Sequence, residues 1–298
     1  MEGIINVYKE QGFTSFDVIA KLRGILKIKK IGHTGTLDPM AEGVLPVCVG
    51  KATKVCGLLT DADKTYRAQF KLGLVSDTQD ITGTVLAENS CEGINDSDIL
   101  DAVKSFEGEI NQLTPMYSAR KVDGKKLYEY AREGRVAERP VKRIRIFSIR
   151  DVEIKRNEDG VYVSMEVNCE KGTYIRTLCH DIGEKLGCGV VMTALTHTQT
   201  SIFTIENSLK LKDIENIVSA GREDAIFIGV DTLFLAEDKV TVPDELMKYV
   251  VNGNKLRLDN FDLLIAEDKR VRLYSEDGTF LALYVNKNGE LRPEALFI

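Results

Sequence analysis

Apolar residues run almost unbroken through GIINVYKE and then recur every three to four positions through TSFDVIAKLRGILKI. The chain therefore opens on a buried strand followed by an amphipathic helix. Val18, Ile19, Leu22, Ile25 and Leu26 share one helical face, with Thr14 or Ser15 as N-cap. VLPVCVG reads as the next strand, and a polar, glycine-bearing loop separates it from the helix. In TYRAQFKLG, Tyr66, Ala68, Phe70 and Leu72 alternate with Arg67, Gln69 and Lys71, the period of a half-buried strand; TGTVLAE is another. NDSDILDAVKSFEG predicts a helix capped by Asn95 or Asp96 with Ile99, Leu100, Val103 and Phe106 inward. VKRIRIFSIRDVEIKR and VYVSMEVNCE are two long strands turned at NEDG. YIRTLCHDIGEKLG is a helix stopped by Gly187, and SLKLKDIENIVSA is one more.

Strands and helices without regular alternation predict an α+β fold, not a doubly wound sheet. At 298 residues the chain is long for one compact unit, and two domains are expected. A boundary is placed near residues 230–240. Residues 1–235 form the larger domain, and residues 236–298 a small β-rich one. The latter holds a short helix, Glu245–Val251, and the strands DKRVRLYS and TFLALYV around an EDG turn.

Composition narrows the class. Hydrophobic residues at 43% and charged residues at 29% describe an ordinary soluble globular chain. The apolar runs are too short to span a bilayer, and MEGIINVYKE lacks the basic and long apolar regions of a signal peptide. A cytoplasmic protein is expected. The six cysteines include no CxxC pair, so reduced, mostly buried thiols are expected. His33, His180 and His197 are scattered, so no metal site is expected.

The formal net charge of −6 argues against a polyanionic partner, yet it conceals an asymmetry. Between Arg120 and Arg150 eleven basic residues face four acidic ones, a local +7 within a basic insertion at about 115–150. That suits either a polyanion-binding face or a solvated surface.

Four stretches carry candidate chemistry. In GHTGTLDPMAEG, Pro39 keeps Asp38 off helical backbone, and Gly32 and Gly35 are expected to supply conformations closed to other residues. In DKTYRAQFKLG, Tyr66 is either core or a ring that stacks on a base. In LTPMYSARKVDGKKLYEYAREG, Tyr117, Tyr128 and Tyr130 interleave with Arg120, Lys121, Lys125, Lys126 and Arg132. That mixture suits base stacking and phosphate contact, or else a polar helix with snorkelling lysines. In EKGTYIRTLCHDIGEKLGCG a helix begins near Tyr174 with Arg176 in its first turn, where the helix dipole disfavours a cation. An anionic partner is therefore expected there, either Asp38 or a phosphate.

Taken together these stretches, with GHTGTLDPMAEGVLPVCVGKATK and SDTQDITG, resemble the bacterial tRNA pseudouridine-55 synthases, the TruB family. The likeness is strong from about residue 3 to 210 and weaker beyond. It implies a pseudouridine-synthase domain of mixed, mostly antiparallel sheet, followed by a PUA-like RNA-binding domain. It also implies isomerisation of a T-arm uridine after base flipping, with no cofactor, metal or obligatory protein partner; a monomer is the default expectation. By matching positions Asp38 is the essential carboxylate, paired with Arg176, and Tyr66 lies against the flipped uracil. His33 helps open the T-loop, Asp80 contacts RNA or base nearby, Tyr174 binds substrate and Leu195 lines the uracil pocket. Lys125, Lys126 and Arg132 are the candidate phosphate contacts. Arg176 is expected to hold the Asp38 pKa low. Three departures stand out: Thr114-Pro115 replaces a double proline, Thr196 and His197 replace two basic residues, which would weaken RNA binding there if those positions touch phosphate, and the PUA-like tail lacks the usual richness in glycine.

Three other classes compete. A non-catalytic RNA-binding protein on the same scaffold would not need Asp38, Tyr66 and Arg176 together. A guide-RNA-dependent enzyme would be expected to carry basic extensions. A nucleoside hydrolase would canonically need two carboxylates, and no second acid is evident in these loops.

Overall fold

The computed structural model describes residues 2–261 and 264–298. In chain order the strands begin with β1 (Gly3–Lys9), β2 (Ile31–His33), β3 (Glu42–Val49), β4 (Lys64–Leu72), β5 (Leu74–Ser76) and β6 (Val85–Glu88). Next come β7 (Gly108–Leu113), β8 (Lys121–Val122), β9 (Lys125–Lys126), β10 (Val141–Asn157), β11 (Gly160–Cys169) and β12 (Val190–Thr200). The last are β13 (Phe203–Thr204), β14 (Leu209–Lys210), β15 (Asp238–Thr241), β16 (Leu256–Arg257), β17 (Arg270–Tyr274), β18 (Phe280–Lys287) and β19 (Glu290–Leu296). The helices are α1 (Ser15–Leu26), α2 (Cys56–Asp61), α3 (Asp96–Lys104), α4 (Leu127–Arg132), α5 (Ile175–Leu186), α6 (Leu211–Ser219) and α7 (Asp244–Val251).

One sheet runs β14-β1-β3-β12-β4-β11-β10-β7, with β2 added to β3 and β13 to β12. Its pairs are antiparallel except β1 with β14 and β3 with β12, so the sheet is mixed and mostly antiparallel. Strand β11 shows why it holds. Val161, Val163, Met165, Val167 and Cys169 are buried at every second position, while the residues between them stay half-exposed. Helix α5 lays Ile175, Leu178, Cys179 and Ile182 into the same core. Thr14 caps α1 with Asp17 closing a capping box, Asn95 does the same for α3, and Gly187 ends α5 at φ 73°.

A second sheet, β15-β17-β18-β19-β16, follows. Leu283 from it, and Phe297 just after β19, share a hydrophobic cluster with Val44, Cys48 and Phe203 of the large sheet. Tyr274 donates to Asp231 Oδ2 at 2.9 Å across the same junction. The small sheet is thereby packed behind β3.

Several expectations need correction. Leu100 is 40% exposed: Ile99, Ala102 and Val103 form the buried stripe of α3, and Leu100 lies about 100° round the helix from it. Helix α6 starts only at Leu211, because Leu209 and Lys210 pair in parallel with Val7 and Tyr8. Gly32 and His33 are not free loop but part of β2, hydrogen-bonded to β3. The small domain has five strands instead of two; β15 and β16, at four and two residues, are too short to show an alternation, and β19, interrupted by Pro293, does not alternate. No helix among the described residues is long and apolar enough to cross a membrane.

Candidate active site

The loop leading to Asp38 is fastened along its length. Thr34 sends both its N–H and its hydroxyl to Pro46 O, each at 3.2 Å. Leu37 N–H donates to Ser15 Oγ at the start of α1 (2.9 Å), and Gly12 N–H to Pro39 O (2.8 Å). Ala41 N–H donates to Asp38 O at 3.0 Å, closing a β-turn whose second residue is Pro39, where proline's fixed φ is favoured. Lys9, fully buried at the end of β1, donates to Ala41 O and Phe13 O, both at 2.6 Å, and to Glu10 O at 3.3 Å. Burial pulls its pKa down to about 8, against the pull of the Asp38, Glu42 and Asp17 carboxylates.

The glycines act differently from expectation. Neither Gly32 nor Gly35 has positive φ; at Gly32 a Cβ would crowd Cys56 Sγ at 3.2 Å. The residue that requires glycine is Gly43, at φ 105°, where a Cβ would lie 2.2 Å from His197 O. This close approach lets β3 and β12 run side by side beneath the loop.

Arg176 sits in the first turn of α5 and is 7% exposed at its side chain. Nη2 meets Asp38 Oδ2 at 3.0 Å and donates to Tyr117 O at 2.9 Å. Nη1 donates to Thr78 O at 3.2 Å and reaches Asp80 Oδ2 at 3.3 Å. The expected anionic partner is thus a pair of carboxylates. Gln112, buried on β7, holds the helix start: its Oε1 accepts from Tyr174 N–H (2.7 Å) and its amide donates to Tyr174 O (3.0 Å).

Asp80 supplies a second acid in the cleft, against expectation, but its oxygens are occupied. Oδ1 accepts from the Thr78 hydroxyl (2.8 Å), the Thr82 N–H (2.9 Å) and the Thr82 hydroxyl (2.5 Å), while Oδ2 faces Arg176. At 3% exposure it is arranged to hold Arg176 and to leave Asp38 as the accessible carboxylate. The Asp38 side chain is 41% accessible. Its pKa also departs from expectation: desolvation by the cleft walls raises it and prevails over the Arg176 charge, with Asp80 raising it further and Lys9 opposing.

Asp38, Tyr66, Asp80, Tyr174, Arg176 and Leu195 line one cleft of about 850 Å³, the size of a small-molecule site. Arg132 joins its wall, with Tyr117 and Tyr128 beside it. His33, Lys125 and Lys126 are not on that wall. His33 is half-buried on β2 with no partner for Nδ1. Lys125 pairs with Glu133 and lies 5.0 Å from the Tyr130 ring centroid. Lys126 and Arg132 both approach the Tyr128 ring, at 5.4 and 5.2 Å. Burial raises the Tyr66 phenol well above its ordinary value, helped by Cys169 and Asp38.

His197 is 3% exposed, so it offers phosphate no contact where the family usually carries a basic residue. Thr196, half-buried, faces Glu42 at 3.5 Å. Lys9 and Gln112 therefore shape the site without having been singled out for it, and His197 was singled out for another reason. Lys9 leaves one trace in sequence, a lysine closing a largely apolar strand.

Comparison with known proteins gives a consistent result. Residues 23–175 match the TruB family pseudouridylate synthase N-terminal domain, and residues 176–234 the tRNA pseudouridylate synthase B C-terminal domain. The chain is 51% identical over 308 residues to tRNA pseudouridine synthase B of Lachnoclostridium phytofermentans, covering 100% of both chains. It is 42% identical over 300 residues to the protein of that name from Clostridium perfringens strain 13, covering 100% of this chain and 99% of the relative. Among solved structures it resembles a chain of an H/ACA RNP bound to a substrate RNA containing 2′-deoxyuridine. That match has 26% identity and TM-score 0.71, over 99% of this chain and 85% of the other. A chain of a Cbf5-Nop10-Gar1 complex is similar at 28% identity and TM-score 0.71, over 99% and 85%.

Proposed function

This chain belongs to the TruB family of pseudouridylate synthases, and we propose that it isomerises the uridine at position 55 in the T-loop of tRNA. The observation that carries this reading is one accessible carboxylate, Asp38, held by a buried arginine at the bottom of a cleft walled by Tyr66 and Leu195. A base within a folded RNA loop cannot reach such a cleft without leaving its stack, which costs a few kcal/mol. Stacking on an aromatic ring returns about 1–3 kcal/mol. Tyr66 is the ring placed to receive it, beside Leu195, its neighbour but one across the β4–β12 pairing.

The chemistry is an isomerisation. The N1–C1′ bond breaks, the uracil turns in place, C5 bonds to C1′, the C5 proton leaves to solvent and N1 gains one. No atom enters or leaves overall apart from exchanged protons. Asp38 serves as nucleophile or base for this change, and in either role it acts ionised. Arg176 supplies a fixed positive charge beside it, and Asp80 keeps that charge aimed. Lys9 and Pro39 hold the turn from which Asp38 projects.

The protein is expected to act alone, without a guide RNA. In support, it is 42–51% identical over its full length to curated tRNA pseudouridine synthases B, against 26–28% to chains found in H/ACA assemblies. The test is a T-arm stem-loop carrying tritium at uracil C5, incubated with the purified chain. Tritium release with pseudouridine in the product, absent when position 55 is cytidine, is the expected result. Free uracil would instead reveal a hydrolase, and binding without release a non-catalytic or guide-dependent protein.

Two lesser predictions arise here. Neutralising Lys125, Lys126 and Arg132 together should weaken tRNA binding and flatten its salt dependence, by up to about one unit of slope for each phosphate interaction removed. The Lys125–Glu133 pair makes Lys125 the smallest contributor of the three. An unchanged slope of log Kd against log salt would reduce this segment to a solvated surface. Lys9→Met should cost about 1–3 kcal/mol in urea melts, since the Ala41 and Phe13 carbonyls lose their donor. Tritium release should fall further than that destabilisation explains, because Ala41 ends the turn bearing Asp38. Wild-type release by a folded Lys9→Met chain would show that the turn holds without the ammonium.

A further inference from the structure

Among the described residues few buried polar atoms lack a hydrogen-bond partner, and His197 Nε2 is one of them. The other ring nitrogen, Nδ1, lies 2.5 Å from Val44 O. A carbonyl accepts and does not donate, so Nδ1 carries the proton and Nε2 is left as a bare lone pair. Burial pulls the ring pKa down to about 4, and the nearby Lys64 charge works in the same direction. At neutral pH the side chain is therefore an uncharged aromatic slab, pinned to β3. Its own strand is pressed against β3 at Gly43, where the His197 carbonyl occupies the space of a missing Cβ.

That slab backs Tyr66. The two residues are direct partners across the antiparallel β4–β12 pairing. Their ring centroids lie 4.8 Å apart with planes 30° apart, a stacked arrangement. The Tyr66 hydroxyl makes no hydrogen bond among the described residues, so nothing at the tip of the ring fixes its tilt. An aromatic ring anchored only at its Cβ can rock about two side-chain torsions, and a base arriving on it would have to arrest that motion. A second ring behind it removes the freedom beforehand.

We propose that His197 is a positioning residue for Tyr66: held by the Val44 carbonyl, it covers the rear face of the tyrosine and presents the opposite face, at a set angle, to the flipped uracil. This rests on the reading of Tyr66 as the stacking surface for the base. It also explains why a residue in place of an expected basic pair is buried and uncharged. The ring does no phosphate binding; it is part of the wall behind the base.

Two substitutions divide the possibilities. His197→Phe keeps a stacking ring and loses the bond to Val44 O; His197→Gln keeps an amide able to donate to that carbonyl and loses the ring. For each, Kd for the T-arm stem-loop and the single-turnover rate of tritium release are measured, with the melting temperature. The glutamine variant is expected to turn over about three- to tenfold more slowly, the scale of one aromatic pair. Its Kd should stay within about twofold of wild type, because phosphate contacts dominate affinity. The phenylalanine variant should recover most of that loss. The acid limb of the pH–rate profile should be the same in all three proteins, since Asp38 sets it.

Equal losses in both variants, a Kd that weakens in step with the rate, or wild-type turnover by the glutamine variant would each overturn the proposal. If the phenylalanine variant does not fold, wild-type turnover by the glutamine variant overturns the proposal; if the glutamine variant does not fold, a loss of more than tenfold in the phenylalanine variant, which keeps the ring, overturns it. Failure of the wild type to make pseudouridine would instead remove the proposed function, which the same assay reads separately.

Discussion

Replacing Asp38 with asparagine is expected to abolish tritium release from a T-arm stem-loop while leaving binding of that RNA close to wild type. Asparagine nearly keeps the shape and loses the charge. A carboxylate acting as base or nucleophile accounts for about 10²–10⁴ in rate, and more where it forms a bond. The remaining partners of Arg176, namely Asp80, Tyr117 O and Thr78 O, stay in place. Stability should not suffer. The folded-state pKa of Asp38 is raised, so between its unfolded value and that raised value the folded chain binds the proton more tightly. Stability from this group is therefore greatest at low pH and declines as pH rises through that window. At pH 7 the ionised form is a burden to the fold, and the asparagine variant should melt at or slightly above the wild-type temperature. The same shift predicts that the acid limb of the wild-type rate lies above the ordinary carboxylate range. Residual turnover within tenfold of wild type would remove Asp38 from the chemistry.

Arg176→Met should damage both catalysis and the fold. It leaves Asp80, whose side chain is 5% exposed, without its cation, and strands two backbone carbonyls as well. Breaking a buried pair by deleting one partner costs about 3–5 kcal/mol, readable in urea melts. Arg176→Lys is the more informative variant. A single ammonium cannot bridge two carboxylates and two carbonyls as the planar guanidinium does. With its charge drawn toward Asp80, Asp38 loses the interaction that lowers its pKa, and the acid limb should move to higher pH. A lysine variant with unaltered rate and acid limb would show that the bridging geometry is immaterial.

The local elements were legible because their signals are local. The caps at Thr14 and Asn95, the stop at Gly187 and the alternation along Tyr66–Leu72 each depend on residues a few positions apart. Leu100 misled because an amphipathic stripe has an edge, and only the packing partner decides on which side of it a residue falls. The five-stranded tail was half hidden, since β15 and β16 are too short to carry a pattern and β19, ELRPEAL, holds a proline and lacks the alternation of a half-buried strand.

The family resemblance brought Asp38, Tyr66, Asp80, Tyr174, Arg176 and Leu195 forward together as candidates, and these residues share one cleft. The state of those groups was a different matter. Whether Asp38 is raised or lowered depends on how much of its surroundings is protein, and the sign came out opposite to that expected from its arginine alone. Asp80 became a brace once Thr78, Thr82 and Arg176 closed around it. Lys9 reaches Ala41 from 32 positions away, Gln112 holds Tyr174 from 62, and His197 meets Val44 from 153.

By itself, then, the sequence determined α1, α3, α5 and α7 and the strands β1, β3, β4, β10 and β11, because caps and short-range periodicity record these, and its family resemblance pointed to the class of chemistry and the candidate residues; the eleven-residue β12 went unread. Only the tertiary structure decided which carboxylate stays accessible, which charge is neutralised and which ring stands behind which. Desolvation and hydrogen-bond saturation arise from neighbours that the folded sheet assembles, and no spacing along the chain records them.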